Sequence, residues 1–262
     1  MNTGPIGIFD SGIGGTSIWK EIITLLPHES TIYLADSRNA PYGEKPQKRI
    51  LELSVKNMEL LVNQGSKLIV VACNTATTNA IKELREMYDL PIIGIEPAIK
   101  SAALHSKTKK VGVLATKGTL ASSLFHHTAD NHANGIQILE QEGTGLVDLI
   151  EKGELYSPKT RSLLEYYLRP MLTAGIDQLV LGCTHYPYLM PLLLEILPSG
   201  IEILDSGAGV ARQTKNILQK NDLLNPGQDI GGHLFYTNGS PAVLESFVKD
   251  AGVPYALSYM DF

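Results

Sequence analysis

The chain contains two cysteines, and both stand in the same local sequence pattern. Cys73 lies in the run Leu-Ile-Val-Val-Ala-Cys-Asn-Thr, and Cys183 lies in the run Gln-Leu-Val-Leu-Gly-Cys-Thr-His. Each apolar run predicts a buried strand, and the polar residues after each cysteine are suited to opening a helix. The repeated pattern predicts two thiols that face one substrate from opposite sides. Such a pair could remove and return a proton and so invert a carbon centre.

The alternatives for the cysteines are two buried apolar residues, a disulfide or a metal site. The segment 1–5 lacks the basic and apolar parts of a signal peptide, and two cysteines in 262 residues do not make a disulfide scaffold. No Cys-x-x-Cys motif occurs, and the spacing of His126, His127 and His132 is not a zinc pattern. The matched contexts favour a catalytic pair, and we expect no metal.

Charge and hydropathy limit the partners of the chain. The net charge is −5 and no basic run occurs, so we expect neither nucleic acid nor an anionic membrane surface as a partner. No apolar stretch reaches the roughly 18 residues that a transmembrane helix needs. We therefore expect a cytoplasmic protein that acts on a small molecule.

Short apolar runs alternate with longer helical patterns, which predicts βα units and mostly parallel sheets. The predicted strands are Ile6–Phe9, Thr31–Leu34, Leu68–Val71, Ile92–Ile95, Val111–Leu114, Ile136–Leu139, Leu179–Leu181 and Ile201–Leu204. One helix is predicted from about Pro46 to Gln64, with Gly65 as its C-terminal cap. Another is predicted from Thr160 to Leu172, with a break near Pro170.

The two halves of the chain repeat the same order of patterns. The segment 6–11 resembles the segment 111–116, and the two cysteine strands match each other. We therefore predict an α/β fold of two pseudo-symmetric α/β domains with mostly parallel sheets and the active site in the cleft between them.

The predicted boundaries follow from this repeat. The first domain is predicted to comprise residues 1–97 and 208–262, and the second to comprise residues 98–207. The tail after about Gly207 has no counterpart in the repeat. We expect it to return to the first domain, with Leu234–Tyr236 as an extra strand.

The loop after the first predicted strand contains Asp10 and the glycine-rich stretch 12–15. Glycines permit close approach of the backbone, and Asp10 could bind an ammonium group or tune a thiol. A tight turn capped by Asp10 or Ser11 would explain the same residues. Two of the glycines fit a dinucleotide fingerprint with Asp36 as the ribose-binding acid, but Ser17 stands at the third glycine position. We expect no nucleotide cofactor.

A polar loop, residues 36–43, follows the second predicted strand, and Pro41 and Gly43 predict a turn within it. The loop could form a wall or lid over the cleft, with backbone amides available to a carboxylate. It could equally be an ordinary exposed connection.

Polar residues follow both cysteines at the predicted starts of helices, namely Asn74, Thr75 and Thr184. Free amides at a helix N-terminus attract carboxylates, and the same field is expected to lower the pKa of a nearby thiol. His185 lies two residues after Cys183 and could stabilise its thiolate or assist its protonation.

Taken together, these motifs resemble the glutamate racemase family. The similar segments follow the family order over nearly the whole chain and are residues 8–15, 39–43, 71–76, 181–187 and 203–207. The resemblance implies two α/β domains, interconversion of L- and D-glutamate for peptidoglycan synthesis, and a homodimer. It also implies catalysis without a cofactor, which agrees with the lack of a lysine-centred cofactor motif.

The resemblance also implies roles for individual residues. Cys73 and Cys183 would be the two acid/base residues. The substrate site would be lined by Asp10, Ser11, Pro41, Tyr42, Gly43, Asn74, Thr75, Thr184 and His185. The family's acidic residue falls on Glu151, in a segment where Thr144-Gly145 and Asp148 depart from the family pattern. Thr116 and Thr119 are further candidates.

Three other functions remain open at this point. The chain could racemise aspartate or catalyse another reaction of the two-cysteine superfamily. It could be a cysteine hydrolase that uses Cys183 and His185, although Cys73 would then have no task. It could also bind an amino acid without exchanging its Cα proton.

Overall fold

The computed structural model describes residues 4–132 and 135–262 of the chain. Within these ranges ten strands form two sheets, and all of their pairings are parallel. The six-stranded sheet has the order β10-β9-β2-β1-β3-β4 and consists of β1 (Ile6–Asp10), β2 (Thr31–Ala35), β3 (Leu68–Val71), β4 (Ile92–Gly94), β9 (His233–Thr237) and β10 (Tyr255–Tyr259). The four-stranded sheet has the order β6-β5-β7-β8 and consists of β5 (Lys110–Ala115), β6 (Gln137–Glu142), β7 (Gln178–Gly182) and β8 (Glu202–Leu204).

Helices connect the parallel strands, as crossover connections require. They are α1 (Thr16–Leu25), α2 (Gln47–Asn63), α3 (Asn74–Met87), α4 (Ile99–His105), α5 (Lys117–Leu120), α6 (Ser123–His132), α7 (Leu146–Glu151), α8 (Pro158–Ala174), α9 (Met190–Ile196), α10 (Gly207–Lys220) and α11 (Pro241–Val248). Among the described residues, no helix has both the length and the apolar composition needed to cross a membrane.

All eight predicted strands are confirmed, with ends that differ by at most three residues. The extra strand predicted at Leu234–Tyr236 lies within β9, which pairs with β2 in the six-stranded sheet. The tail after residue 207 therefore adds strands to the six-stranded sheet, which also contains β3, the strand before Cys73. The domain boundaries themselves stay a prediction.

The predicted break at Pro170 is wrong, because α8 continues to Ala174. A proline inside a helix lacks the amide that would bond to the carbonyl four residues earlier, which here belongs to Tyr166. Tyr166 is exposed, so water can satisfy that carbonyl. The other helix prediction is confirmed, since α2 follows Pro46 and Gly65 has a φ of 78° beyond its end.

Buried side chains cover the faces of both sheets. Trp19 on α1 is fully buried and packs edge-on against Phe235 of β9, with ring centroids 4.8 Å apart. Its indole nitrogen donates to the hydroxyl of Thr31 on β2 at 3.0 Å. This packing ties the C-terminal strand β9 to the N-terminal βα unit.

A buried ion pair lies at the amino end of β3, away from the cysteine at the other end of that strand. The Lys67 ammonium is 2.6 Å from the Glu29 carboxylate, and both side chains are almost fully buried. Glu29 also accepts a hydrogen bond from the backbone amide of Asn225. The pair therefore joins three distant parts of the chain.

Replacing Lys67 with methionine should lower the free energy of unfolding by about 3–5 kcal/mol, because Glu29 would be left buried and unpaired. The double variant Glu29→Gln/Lys67→Met should recover much of this loss. Urea denaturation followed by the fluorescence of Trp19, the single tryptophan, measures both effects. Arg49→Met, which breaks a half-exposed pair with Glu52, is the control and should cost less than about 1 kcal/mol. A similar cost for Lys67→Met and Arg49→Met would contradict the prediction.

Candidate active site

Cys73 lies between the buried strand β3 and the start of α3. Its sulfur accepts a hydrogen bond from the amide of Ala76 at 3.4 Å and donates to the Ser11 hydroxyl at 3.6 Å. The expectation that the helix terminus lowers the pKa of this thiol is wrong in this structure. Burial and the nearby charge of Asp10 raise the pKa of Cys73 and outweigh the contribution of the helix amide.

Cys183 follows β7 in the second sheet, and its sulfur is 3.7 Å from Nδ1 of His185. The prediction that Thr184 opens a helix is wrong, because a turn and a short 3₁₀ segment precede α9. Pro187 disfavours the α conformation at the residue before it, which explains the delay of the helix. Backbone amides of a long helix are therefore available beside Cys73 but not beside Cys183.

His185 and Glu151 form a short, partly buried contact. Nε2 of His185 is 2.6 Å from Oε1 of Glu151, a residue at the end of α7. Burial alone would lower the pKa of His185, but its hydrogen bonds with Cys183 and Glu151 raise that pKa well above the usual value. A protonated imidazole donates from both ring nitrogens, so His185 can donate to Cys183 and Glu151 at once.

Glu151 also reaches the other sheet. Its Oε1 accepts the backbone amide of Ile13 at 2.7 Å, and its Oε2 accepts the hydroxyl of Ser37 at 3.0 Å. Glu151 thus joins α7 to the loops that follow β1 and β2. Glu151, which only the family resemblance implied, thus lies beside the predicted site.

Asp10 is fully buried at the end of β1. One carboxylate oxygen accepts the amides of Gly12 and Gly15 at 3.2 and 3.1 Å, and the other accepts the hydroxyl of Thr184 at 3.2 Å. Asp10 therefore closes its own turn and also contacts the cysteine loop of the second sheet. Burial raises its pKa, and the lowering by His185 does not fully offset this.

Close packing across the two sheets explains the glycines of the loop. A Cβ atom on Gly12 would lie 1.8 Å from the carboxylate of Glu151, and one on Gly14 would lie 2.3 Å from the ring of His185. These positions must lack side chains for the two halves to meet. The glycines therefore have a packing role that does not require a dinucleotide.

Hydroxyl groups from both sheets meet at another edge of the site. The hydroxyl of Thr75 on α3 is 2.8 Å from that of Thr116, which follows β5. The Thr116 hydroxyl also lies 3.0 Å from that of Thr119 on α5. This cluster brings Thr116 and Thr119, the two further candidates, next to Thr75, which lies two residues after Cys73.

These elements line a small cavity of about 10 Å³. It is lined by Ser11, Pro41, Tyr42, Gly43, Cys73, Asn74, Thr75, Thr116, Val147, Cys183, Thr184 and His185. Both cysteines are free and buried, and they line this one cavity. Of the predicted residues, Asp10, Glu151 and Thr119 lie behind the lining, each hydrogen-bonded to a residue of it. The loop 36–43 forms a wall of the cavity rather than a free connection.

One feature of the cavity points to a polar ligand. The side-chain nitrogen of Asn74 is buried in the lining and has no hydrogen-bond partner among the described residues, so a bound carboxylate could accept from it. Val147 contributes an apolar wall from α7. Sequence reasoning missed Val147, because an apolar residue on a short helix gives no signal of a site.

Three histidines, His126, His127 and His132, were considered as metal ligands from the sequence. His126 and His127 are on α6 and do not line the cavity. The side chain of His132 lies outside the described residues. No group of three metal-binding side chains occurs within the described part of the chain.

Glu151→Gln should lower the pKa of His185, because a neutral amide stabilises the imidazolium less than a carboxylate does. NMR titration of ¹⁵N-labelled histidine side chains measures this change, and the spectrum of His185→Asn assigns the resonance. In the unchanged protein His185 should titrate well above the usual histidine range. Titration of His185 at the same pH in both proteins would show that Glu151 does not hold the charge.

Comparisons with known proteins agree with this geometry. The family model described as Asp/Glu/Hydantoin racemase matches residues 11–214. A glutamate racemase from Pseudomonas putida is 46% identical over 245 residues, which are 93% of this chain and 92% of that protein.

Solved structures extend the likeness to the whole fold. A glutamate racemase isoform from Bacillus anthracis has a TM-score of 0.90 at 29% identity, covering 100% of this chain and 99% of its own. The glutamate racemase of Escherichia coli, solved with L-glutamate and the activator UDP-MurNAc-Ala, has a TM-score of 0.87 at 34% identity, covering 98% of each chain. The match of the family model over most of the chain, the close relatives and the shared fold lead to one conclusion: this chain belongs to the Asp/Glu/Hydantoin racemase family of isomerases.

Proposed function

We propose that the protein is a glutamate racemase that interconverts L- and D-glutamate with Cys73 and Cys183 as its two acid/base residues. The main support is that two free, buried thiols, one after a strand of each sheet, line the same small cavity. The names of the similar proteins and the L-glutamate bound to the Escherichia coli enzyme support the choice of substrate.

The reaction needs two proton transfers at one carbon. A thiolate on one side takes the Cα proton, and the electron pair of the broken bond remains on the substrate. The thiol on the other side then donates its proton to Cα from the opposite face. The two cysteines exchange roles in the reverse direction, which is why two like residues suit the task.

The surroundings of the two thiols carry different charges. Burial and Asp10 raise the pKa of Cys73 and favour its neutral thiol. His185, whose pKa is raised, places a proton donor next to the sulfur of Cys183. A substrate ammonium group near Asp10 would offset the carboxylate charge and ease ionisation of Cys73.

The cavity can also stabilise the carbanion without a cofactor. The unpartnered amide of Asn74 and the amides at the start of α3 are donors for a substrate carboxylate, whose negative charge grows as the Cα proton leaves. The hydroxyls of Thr75 and Thr116 add further donors. Closure of the cavity around the substrate would exclude water and so strengthen these interactions.

The biological role follows from the product. D-Glutamate is a component of peptidoglycan, so the reaction would supply cell-wall synthesis. A homodimer and a cytoplasmic location belong to the same proposal.

A cysteine hydrolase is the competing function that one observation favours. Cys183, His185 and Glu151 form a consecutive chain of contacts, as a nucleophile, its base and an orienting acid would. This arrangement leaves Cys73 unused, although that residue lines the same cavity. The racemase uses both thiols and is therefore preferred.

Incubation of the protein with L-glutamate in D₂O should yield D-glutamate with deuterium at Cα. Cys73→Ser and Cys183→Ser should each abolish nearly all racemisation, because serine is a much weaker acid than cysteine. Chiral chromatography measures the product, and mass spectrometry measures the deuterium. Circular dichroism should show that both variants remain folded. Near-normal turnover by either variant, or hydrolysis of an ester by an unchanged protein that does not racemise glutamate, would contradict the two-base function.

Asp10→Asn should lower kcat/KM for both enantiomers by at least about tenfold, the scale of one charge-assisted contact of roughly 1.5–3 kcal/mol. The amide keeps the size of the side chain but removes the charge that would bind the ammonium group. Steady-state kinetics in both directions measure the loss. Unchanged kinetics with both enantiomers would assign Asp10 to the turn alone.

A further inference from the structure

The register between β2 and β9 brings two polar residues from distant parts of the sequence together. Ala35 pairs with Thr237 at the end of the two parallel strands. The next residues, Asp36 and Asn238, therefore leave the sheet side by side, and both side chains are buried. The side-chain nitrogen of Asn238 donates to the carboxylate of Asp36 at 2.5 Å.

Asn238 uses both N–H groups and the oxygen of its side-chain amide. Its second N–H donates to the main-chain oxygen of Phe262 at 3.0 Å, and its oxygen accepts the backbone amide of Arg38 at 2.9 Å. Leucine has nearly the same size but could make none of these bonds. One side chain thus joins the loop 36–43 to the last residues of the chain.

Asp36 passes this restraint to the cavity wall. The hydroxyl of Tyr42 donates to Asp36 at 2.5 Å and accepts from the amide of Asn57 at 3.2 Å. The hydroxyl of Tyr42 therefore uses its hydrogen and one of its acceptor positions within the protein. Tyr42 consequently serves the cavity through its ring and backbone rather than as a proton donor to the substrate.

The wall formed by Tyr42 belongs to the side of one thiol only. Tyr42 and Cys73 lie in the same buried apolar cluster, whereas Cys183 lies in the other large cluster. All three line the cavity. A shift of Tyr42 would therefore disturb the geometry of Cys73 towards the substrate more than that of Cys183.

We propose that Asn238 is a positioning residue that acts through Asp36 and Tyr42 to hold the wall beside Cys73. This inference rests on the proposed racemase function and adds that the C-terminal strand region sets the efficiency of one of its two proton transfers. The proton transfer to or from Cys73 depends on this wall, whereas the proton transfer at Cys183 does not.

Asn238→Leu should lower kcat/KM by about 10- to 100-fold, the scale expected when a reacting group is misplaced by a fraction of an ångström to an ångström. For a racemase the equilibrium constant is one, so kcat/KM must fall equally in both directions. The decisive measurement is the isotope effect of Cα-deuterated L- and D-glutamate. It should rise for the enantiomer whose deuteron Cys73 removes and fall for the other, because the Cys73 step becomes more rate-limiting.

Tyr42→Phe removes the hydroxyl link but keeps the ring, and it should show the same opposite changes in the two isotope effects. It also preserves the test if Asn238→Leu does not fold. Asn225→Leu is the matched control, because Asn225 likewise bonds to backbone groups but lies near Glu29, at the other end of the sheet. This control should leave both isotope effects unchanged.

The possible failures are distinguishable. Absence of Cα exchange by the unchanged protein would overturn the proposed function and this inference together. Racemisation by the unchanged protein, with isotope effects in Asn238→Leu and Tyr42→Phe equal to the original values, would overturn the positioning role alone. A parallel change for both enantiomers would also overturn it, since it would indicate a general structural effect.

Discussion

The two sheets meet where the carboxylate of Glu151 and the imidazole of His185 pack against two glycines that have no side chains. Glu151 and His185 lie against Gly12 and Gly14 of the loop after β1. This approach lets the amide of Ile13 bond to Glu151 and brings Asp10 within reach of the second sheet. The rest of the site depends on it, since the thiols share a cavity only when these loops are in contact. A side chain at either glycine would displace Glu151 or His185 from its present position.

A nearly symmetric scaffold here surrounds its two thiols with different charges. Each cysteine follows the carboxyl end of an inner strand of a parallel sheet, β3 or β7, which accounts for the repeat in sequence. Cys73 faces Asp10 and Ser11, whereas Cys183 faces His185. Electrostatics therefore distinguishes two residues that the fold makes equivalent.

Local sequence predicted the strands well because a buried parallel strand is apolar along its whole length. Strand β10 was missed, because it is an edge strand whose side chains are mostly exposed and Ser258 interrupts its short apolar run. The pKa of Cys73 was predicted with the wrong sign for a related reason. A helix start is visible in sequence, whereas burial and the charge of Asp10 depend on how distant segments pack.

The same limit applies within the site. The residues next to the cysteines could be proposed from their position after the strands, and the resemblance supplied Glu151. The contact between Asp36 and Asn238 could not be proposed, because it depends on the register of β2 with a strand about 200 residues later. Val147 gave no signal either. Sequence patterns locate groups along a strand, but pairing across the sheet decides which groups meet.

The near-complete burial of the thiols has a consequence for how long they survive. Cys73 and Cys183 are 4% and 6% exposed, and the Thr75–Thr116 and Glu151–Ser37 contacts hold the sheets together around them. A substrate must part these contacts to enter, and so must a peroxide or an alkylating reagent. Reactive thiolates are prone to irreversible oxidation when solvent reaches them. The low exposure of the two sulfurs thus shields them from such reagents.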